Sequence, residues 1–209
     1  MNCLEKNSAI SVLSLVSAIA IVVSKRRALI VAKNALLIID MSNDFVHSEG
    51  SLTAGEPAQA IVKHIIDLAD DFLSRGQEVV VCMDAHEEND THFELWPSHN
   101  VKGTWGQELF GDLKAWFEQH KGDENVKYIP KPEYDAFFNT DLESHLKAKN
   151  VEKVHLTGVC TDICDFLTAY GAYARGFKTV AHQNAMATFT ENHDVFLNHM
   201  KSVFKTEIV

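Results

Sequence analysis

Residues 153–164, KVHLTGVCTDIC, decide the fold: an apolar run ends at a glycine, a Cys-Thr-Asp turn follows, and a helix begins. From about Asp162 the helical spacing of Ile163, Phe166, Leu167 and Tyr170 puts these side chains on one inward face. Gly176 sits where a helix should stop, and FKTVA (177–181) reads as the next strand. Strand, helix and strand in immediate succession make a βαβ unit, whose two strands pair in parallel.

The same alternation extends outward in both directions. ALLIID (35–40) and EVVVCMD (78–84) are short apolar strands that each end in an acid, and VKYIPK (126–131) is a strand stopped by Pro132. Helical spacing appears over 58–74, with Ile61, Ile65, Leu68, Ala69 and Phe72 on one face and Gly76 as the cap. It recurs over 107–119 through Leu109, Phe110, Leu113, Trp116 and Phe117. Thr140-x-x-Glu143 reads as a capping box opening a helix to about Lys149, residues 190–203 as the last helix, and TEIV as a terminal strand. Strands alternating with helices imply an α/β protein of three α/β/α layers around a mainly parallel sheet. Such sheets bind ligands at the carboxyl ends of their strands. Asp40, Asp84, Lys131 and the CTDIC segment all sit there.

The chain has 209 residues, 46% of them apolar and 23% charged, the balance of a globular domain with an appendage. Residues 34–209 carry 14 basic against 28 acidic side chains, a charge that repels phosphate backbones and excludes nucleic acid as a partner. Four cysteines without a regular spacing favour a reducing, cytoplasmic setting. Residues 1–32 differ from the rest and form a hydrophobic and basic extension to a domain spanning 33–209. Fifteen uncharged residues (9–23) precede Lys25-Arg26-Arg27. As a helix they would span about 22 Å, short of a hydrocarbon core of about 30 Å. The segment reads either as upstream sequence ahead of a true start at Val31 or as an anchor. An anchor would make the membrane a partner and leave the catalytic domain in the cytoplasm.

Three groups of residues carry chemistry. Cys164 falls in the first turn of a helix, where free amides and the helix dipole should lower its pKa. The backbone amides of Cys160 and Cys164 could serve as an oxyanion hole. Asp40 and Lys131 each end a strand and supply a proton acceptor and a positive charge beside the thiol. Asp84-Ala-His86, His92-Phe-Glu94 and Trp96-Pro-Ser-His99 offer an Asp-x-His pair and later N/O donors, suited to Zn²⁺, Mn²⁺ or Fe²⁺. Glu87, Glu88 and Asp90 in the same window also read as a solvated acidic loop.

IIDMSNDFV with GSL behind it, DAHEEND, WPSHN followed by GT, KPEYDAFFNTDL and LTGVCTDIC occur in one order from about Lys33 to Val209. In this the chain resembles the nicotinamidase branch of the isochorismatase-like cysteine hydrolases. The resemblance implies hydrolysis of nicotinamide to nicotinate and ammonia through a thioester, as in NAD salvage, with Asp40, Lys131 and Cys164 as the catalytic triad. It also implies a cis peptide at Val159–Cys160, a substrate ring held between Phe45 and Trp96, and one divalent ion, Zn²⁺ first among the candidates. The ion's ligands would be Asp84, His86, Glu94 and His99. His92, eight residues after Asp84, is the other choice for Glu94, which the DAHEEND motif favours. The chain departs from the family at Asp165, where an apolar residue is usual. Rival readings are a relative acting on another small amide or carbamoyl group, and a non-catalytic adaptor of the same fold. A homo-oligomer is compatible with all of them.

Overall fold

The computed structural model describes residues 33–209. The readings made for residues 1–32, and Cys3 with them, lie outside the described residues. Six strands form one parallel sheet: β1 Lys33–Ile39, β2 Glu78–Asp84, β3 Val126–Lys131, β4 Val151–Val159, β5 Lys178–Ala187 and β6 Glu207–Ile208. Their order across the sheet is β3-β2-β1-β4-β5-β6. The helices are α1 Asn43–Val46, α2 Glu56–Ala60, α3 Val62–Ser74, α4 Gly111–His120, α5 Leu142–Ala148, α6 Cys164–Ala174 and α7 His193–Val203.

Burial on both faces explains why the central strands are apolar throughout. Leu36 and Ile38 of β1 pack with Ile65 and Phe72 of α3 and Leu113 of α4. Ala35, Leu37 and Ile39 point the other way, against Leu142 of α5, Ala169 of α6 and Leu197 of α7. This is the expected three-layer arrangement. Sequential growth runs outward from β1 to β3 on one side and from β4 to β6 on the other, so direction reverses between β1 and β4. The crevice at that reversal, on the carboxyl side, is where such sheets bind ligands. Ile39 lies beside Gly158 there, and a Cβ on Gly158 would stand 2.0 Å from the Ile39 carbonyl oxygen. Only glycine lets the two strands meet that closely.

Several elements differ from the sequence reading. The helix expected over 58–74 breaks at Ile61 into α2 and α3. The one expected from 107 begins at Gly111, because Leu109 bridges to Ser42 and Phe110 N–H donates to the Met41 carbonyl. No capping box forms at α5. Thr140 Oγ1 does accept the Leu142 N–H at 3.3 Å while donating to the Ala136 carbonyl, but Glu143 turns to Lys147 and Arg175 and does not close the box. In α6 the inward face is small, with Thr168, Ala169 and Ala172, while Tyr170 is 53% exposed. Small residues let that helix lie close on the sheet, and this shifts the buried stripe away from Tyr170.

Candidate active site

Four of the sheet's ends converge. Asp40 leaves β1 with φ 56°, a left-handed turn that Ser42 N–H closes by donating to the Asp40 carbonyl. This turns the Asp40 side chain toward β2, where its Oδ1 accepts the Asp84 N–H at 2.8 Å. Lys131, the last residue of β3, pairs in register with Asp84. Its ammonium lies 2.8 Å from Asp40 Oδ2, bonds Asp84 Oδ1, donates to the Glu133 carbonyl at 3.0 Å and stands 3.8 Å from Cys164 Sγ. Asp40 and Lys131 are fully buried, and Asp84 and Cys164 nearly so. The sequence reading set Lys131 beside Asp40 and the thiol and assigned Asp84 to the metal group only. In the fold one ammonium is shared by two carboxylates and a thiol, and it ties the Asp84 group to the Cys164 group.

Burial and charge set the protonation states. Burial raises the Asp40 carboxyl to about 7, with the Asp84 charge adding to the effect and Lys131 opposing it. Burial also works against ionised Asp84, but Lys131 and His86 outweigh it and hold that carboxyl at about 2. Lys131 stays charged, because its two carboxylates outweigh burial. Cys164 departs from expectation. Desolvation pushes its thiol well above the ordinary value, the Asp40 and Asp84 charges add to this, and Lys131 only partly compensates. The helix terminus does not overcome burial, so the resting form is a thiol that needs a base, and Asp40 is beside it.

The Val159–Cys160 peptide is cis. The Cys160 carbonyl accepts the N–H groups of Ile163 and Asp165, while the amides of Cys160 and Cys164 find no acceptor among the described residues. These two donors remain available to a ligand oxygen. Cys82 and Cys160 are buried thiols that desolvation keeps protonated, with the Asp165 charge adding at Cys160.

A second group adjoins the first through Asp84. Its Oδ2 lies 3.7 Å from His86 Nε2 and 3.8 Å from His99 Nε2. Ring nitrogens of His86, His92 and His99 all fall within 4.8 Å of one another. His99 Nδ1 lies 2.6 Å from the Pro97 carbonyl, so that nitrogen carries the hydrogen and Nε2 presents a lone pair. His86 Nε2 is buried with no protein partner. An orphaned imidazole nitrogen facing a carboxylate and two imidazoles fits a divalent transition metal. The sequence reading preferred Glu94 as the third side chain. The structure puts Glu94 on the surface, at the end of the 3₁₀ turn Thr91–Glu94, and brings His92 in with the other imidazoles.

Between the two groups opens a cleft. Phe45, packed 5.2 Å from the His99 ring, and Trp96 both line it. Ile163, expected from the sequence only as a packing residue, also lines it, and Leu52, Tyr134 and Phe189 join it without having been singled out from the sequence. Tyr134 stands three residues after Lys131. It accepts the Trp96 indole N–H at 2.9 Å and packs its ring 5.1 Å from His92. Its place in KPEYDAFFNTDL, one of the motifs quoted above, was the available signal.

Fold and site together define a class: a doubly wound α/β protein with a buried carboxylate, ammonium and thiol at the sheet's switch point and a carboxylate–imidazole set beside them. The chain belongs to the isochorismatase family, whose isochorismatase domain model matches residues 34–208. It is 42% identical to the nicotinamidase/pyrazinamidase PncA of Bacillus subtilis, whose crystal structure superposes with a TM-score of 0.82 over 85% of this chain and 99% of that one. The pyrazinamidase/nicotinamidase of Streptococcus mutans UA159 is 40% identical, with a TM-score of 0.82 over 85% of this chain and all of that one. The pyrazinamidase of Pyrococcus horikoshii, solved in complex with zinc, is 29% identical, with a TM-score of 0.74 over 85% of this chain and 98% of that one.

Proposed function

We propose that the protein is a nicotinamidase, hydrolysing nicotinamide to nicotinate and ammonia through a thioester on Cys164. The observation that carries this is the single ammonium of Lys131 joining Asp40, Cys164 and Asp84 beside an aromatic cleft with two unbonded amides. The nicotinamidase and pyrazinamidase relatives support the substrate class, and the zinc-bound relative supports a metal.

In this reading Phe45 and Trp96 hold the ring. Asp40 takes the Cys164 proton as Sγ attacks the carboxamide carbon, and the amides of Cys160 and Cys164 receive the developing oxyanion. Asp40 then returns the proton to the departing nitrogen, which leaves as ammonia. A water molecule next gives its proton to Asp40 and its oxygen to the thioester carbon, and the thiol reforms as nicotinate leaves. A carboxyl near 7 suits a group that must both accept and donate. Lys131 keeps its charge throughout and offsets the negative charge passed between Asp40 and Cys164. Asp84, His86, His92 and His99 would hold a divalent ion, Zn²⁺ first and Mn²⁺ or Fe²⁺ as alternatives. Bound there, such an ion supplies a Lewis-acid anchor for the pyridine nitrogen.

Ammonia release from nicotinamide and from benzamide, with and without a chelator, tests the proposal. Nicotinamide should be turned over and should lose about 30- to 1000-fold in kcat/KM on stripping, equivalent to about 2–4 kcal/mol. Benzamide, which lacks the ring nitrogen, should be poor throughout. Equal turnover of the two amides by the untreated protein would overturn the assignment. We place the activity in residues 33–209, so a chain beginning at Val31 should match the full chain. Among the described residues no helix is long and apolar enough to cross a membrane. A cytoplasmic setting remains part of the proposal.

A further inference from the structure

Glu87, Glu88 and Asp90 read in the sequence as one solvated acidic loop, and two of them match that reading. Glu87 pairs with exposed Lys102, and Glu88 is exposed. Asp90 differs, because each of its oxygens holds a different histidine. Oδ2 lies 2.9 Å from His86 Nδ1, and Oδ1 accepts the His92 backbone N–H at 2.9 Å.

Each contact has a consequence for the imidazole group. A carboxylate only accepts, so the hydrogen of the His86 ring resides on Nδ1. The lone pair is then on Nε2, the buried nitrogen that faces Asp84 and lacks a protein partner. The bond to His92 N–H caps the start of the turn Thr91–Glu94, with Asp90 just ahead of the turn and His92 its second residue. That turn stacks the His92 ring on His86, with centroids 4.8 Å apart and planes 19° apart, and it leaves Glu94 outside. Glu94 is two residues further along the same turn and has a ligand's chemistry without a ligand's position.

From this geometry we infer that Asp90 is a positioning residue that selects the metal's ligand set. It presents His86 Nε2 and brings His92, in place of Glu94, to the site formed by Asp84, His86 and His99. The inference rests on the metal site proposed above and is independent of the substrate.

Binding of Zn²⁺ and Co²⁺ to the full chain tests it, with Zn²⁺ dissociation constants from chelator competition and the visible absorption of the Co²⁺ form as a signature of the ligand set. Asp90→Ala should weaken Zn²⁺ about 10- to 100-fold and change the Co²⁺ spectrum, the range for losing an outer hydrogen-bond partner of a ligand. Asp90→Asn keeps one carbonyl oxygen and can satisfy one of the two N–H groups, so it should recover part of the affinity. His92→Ala should weaken Zn²⁺ in the natural background and Glu94→Ala should not. Alkylation of Cys164 in the metal-free variants, at the natural rate, shows that the neighbouring site is still folded. If Asp90→Ala misfolds by that criterion, Asp90→Asn carries the comparison. Natural affinity and an unchanged Co²⁺ spectrum in the folded variant would overturn the inference, as would a Glu94→Ala loss equal to that of His92→Ala. A natural protein that takes up neither ion would overturn the metal site itself.

Discussion

Replacing Asp165 should stabilise this protein, and the gain should grow as pH rises. Asp165 follows Cys164 in α6, is fully buried, and neither carboxylate oxygen has a hydrogen-bond partner. Burial pushes its carboxyl well above the ordinary 3.8, the Asp40 charge adds to this, and Lys131 partly opposes it. A buried polar group without a partner costs about 1–3 kcal/mol. Asp165→Leu restores the apolar character usual in the family and should recover an amount of that order. For a domain of this size that is a rise in Tm of about 2–4 °C per kcal/mol. The pH dependence follows from proton binding. Below about 3.8 the carboxyl is protonated in both the folded and unfolded chain, so burying it carries no ionisation penalty. Above that value the unfolded chain releases the proton while the folded chain keeps it. The natural protein then loses about 1.4 kcal/mol of stability per pH unit, relative to the variant, until the folded carboxyl also ionises. Asp165→Asn removes the ionisation but leaves a buried amide, so it should flatten the pH dependence without the full gain. Urea unfolding of the three proteins at pH 5, 6.5 and 8 measures both effects. A leucine variant less stable than the natural protein at every pH, with no trend across the range, would show that Asp165 is paired in solution and refute the reasoning.

Cys164→Ala should fold normally and release no ammonia, and nicotinamide should slow alkylation of Cys164 in the natural protein; residual turnover in the variant would exclude the thioester route. Lys131→Met leaves two buried carboxylates without their cation, and should lose about 3–5 kcal/mol in denaturant unfolding. Adding Asp40→Asn to that variant should restore part of the loss, since one of the stranded charges is gone. The acid limb of kcat/KM should fall near pH 7, because Asp40 must be ionised to accept the thiol proton and burial has raised it to about 7. A limb at the ordinary aspartate value near 4 would show that Asp40 is better solvated than its position in the fold indicates.

Much of the architecture was legible because its signals are local. Apolar runs ending in Asp40, Asp84 and Lys131, separated by helical spacing, specify parallel strands buried on both faces whatever the remote contacts are. The cysteine at the start of a helix and the Asp-x-His pair are local patterns too, and the fold brings Cys164 and Asp84 to one cleft. The tertiary structure decided what depends on residues far apart in the chain. Lys131 serves Asp40 and Asp84 together because β3 pairs with β2 in register and the Asp40 turn reaches across to them. The resting thiol reflects burial among charges from three strands, which outweighs the helix terminus that the sequence displays. Glu94 and His92 lie two residues apart with equal chemical claims as ligands. The Asp90 cap on a short 3₁₀ turn separates them, because a turn aims one of its side chains inward and the other at solvent.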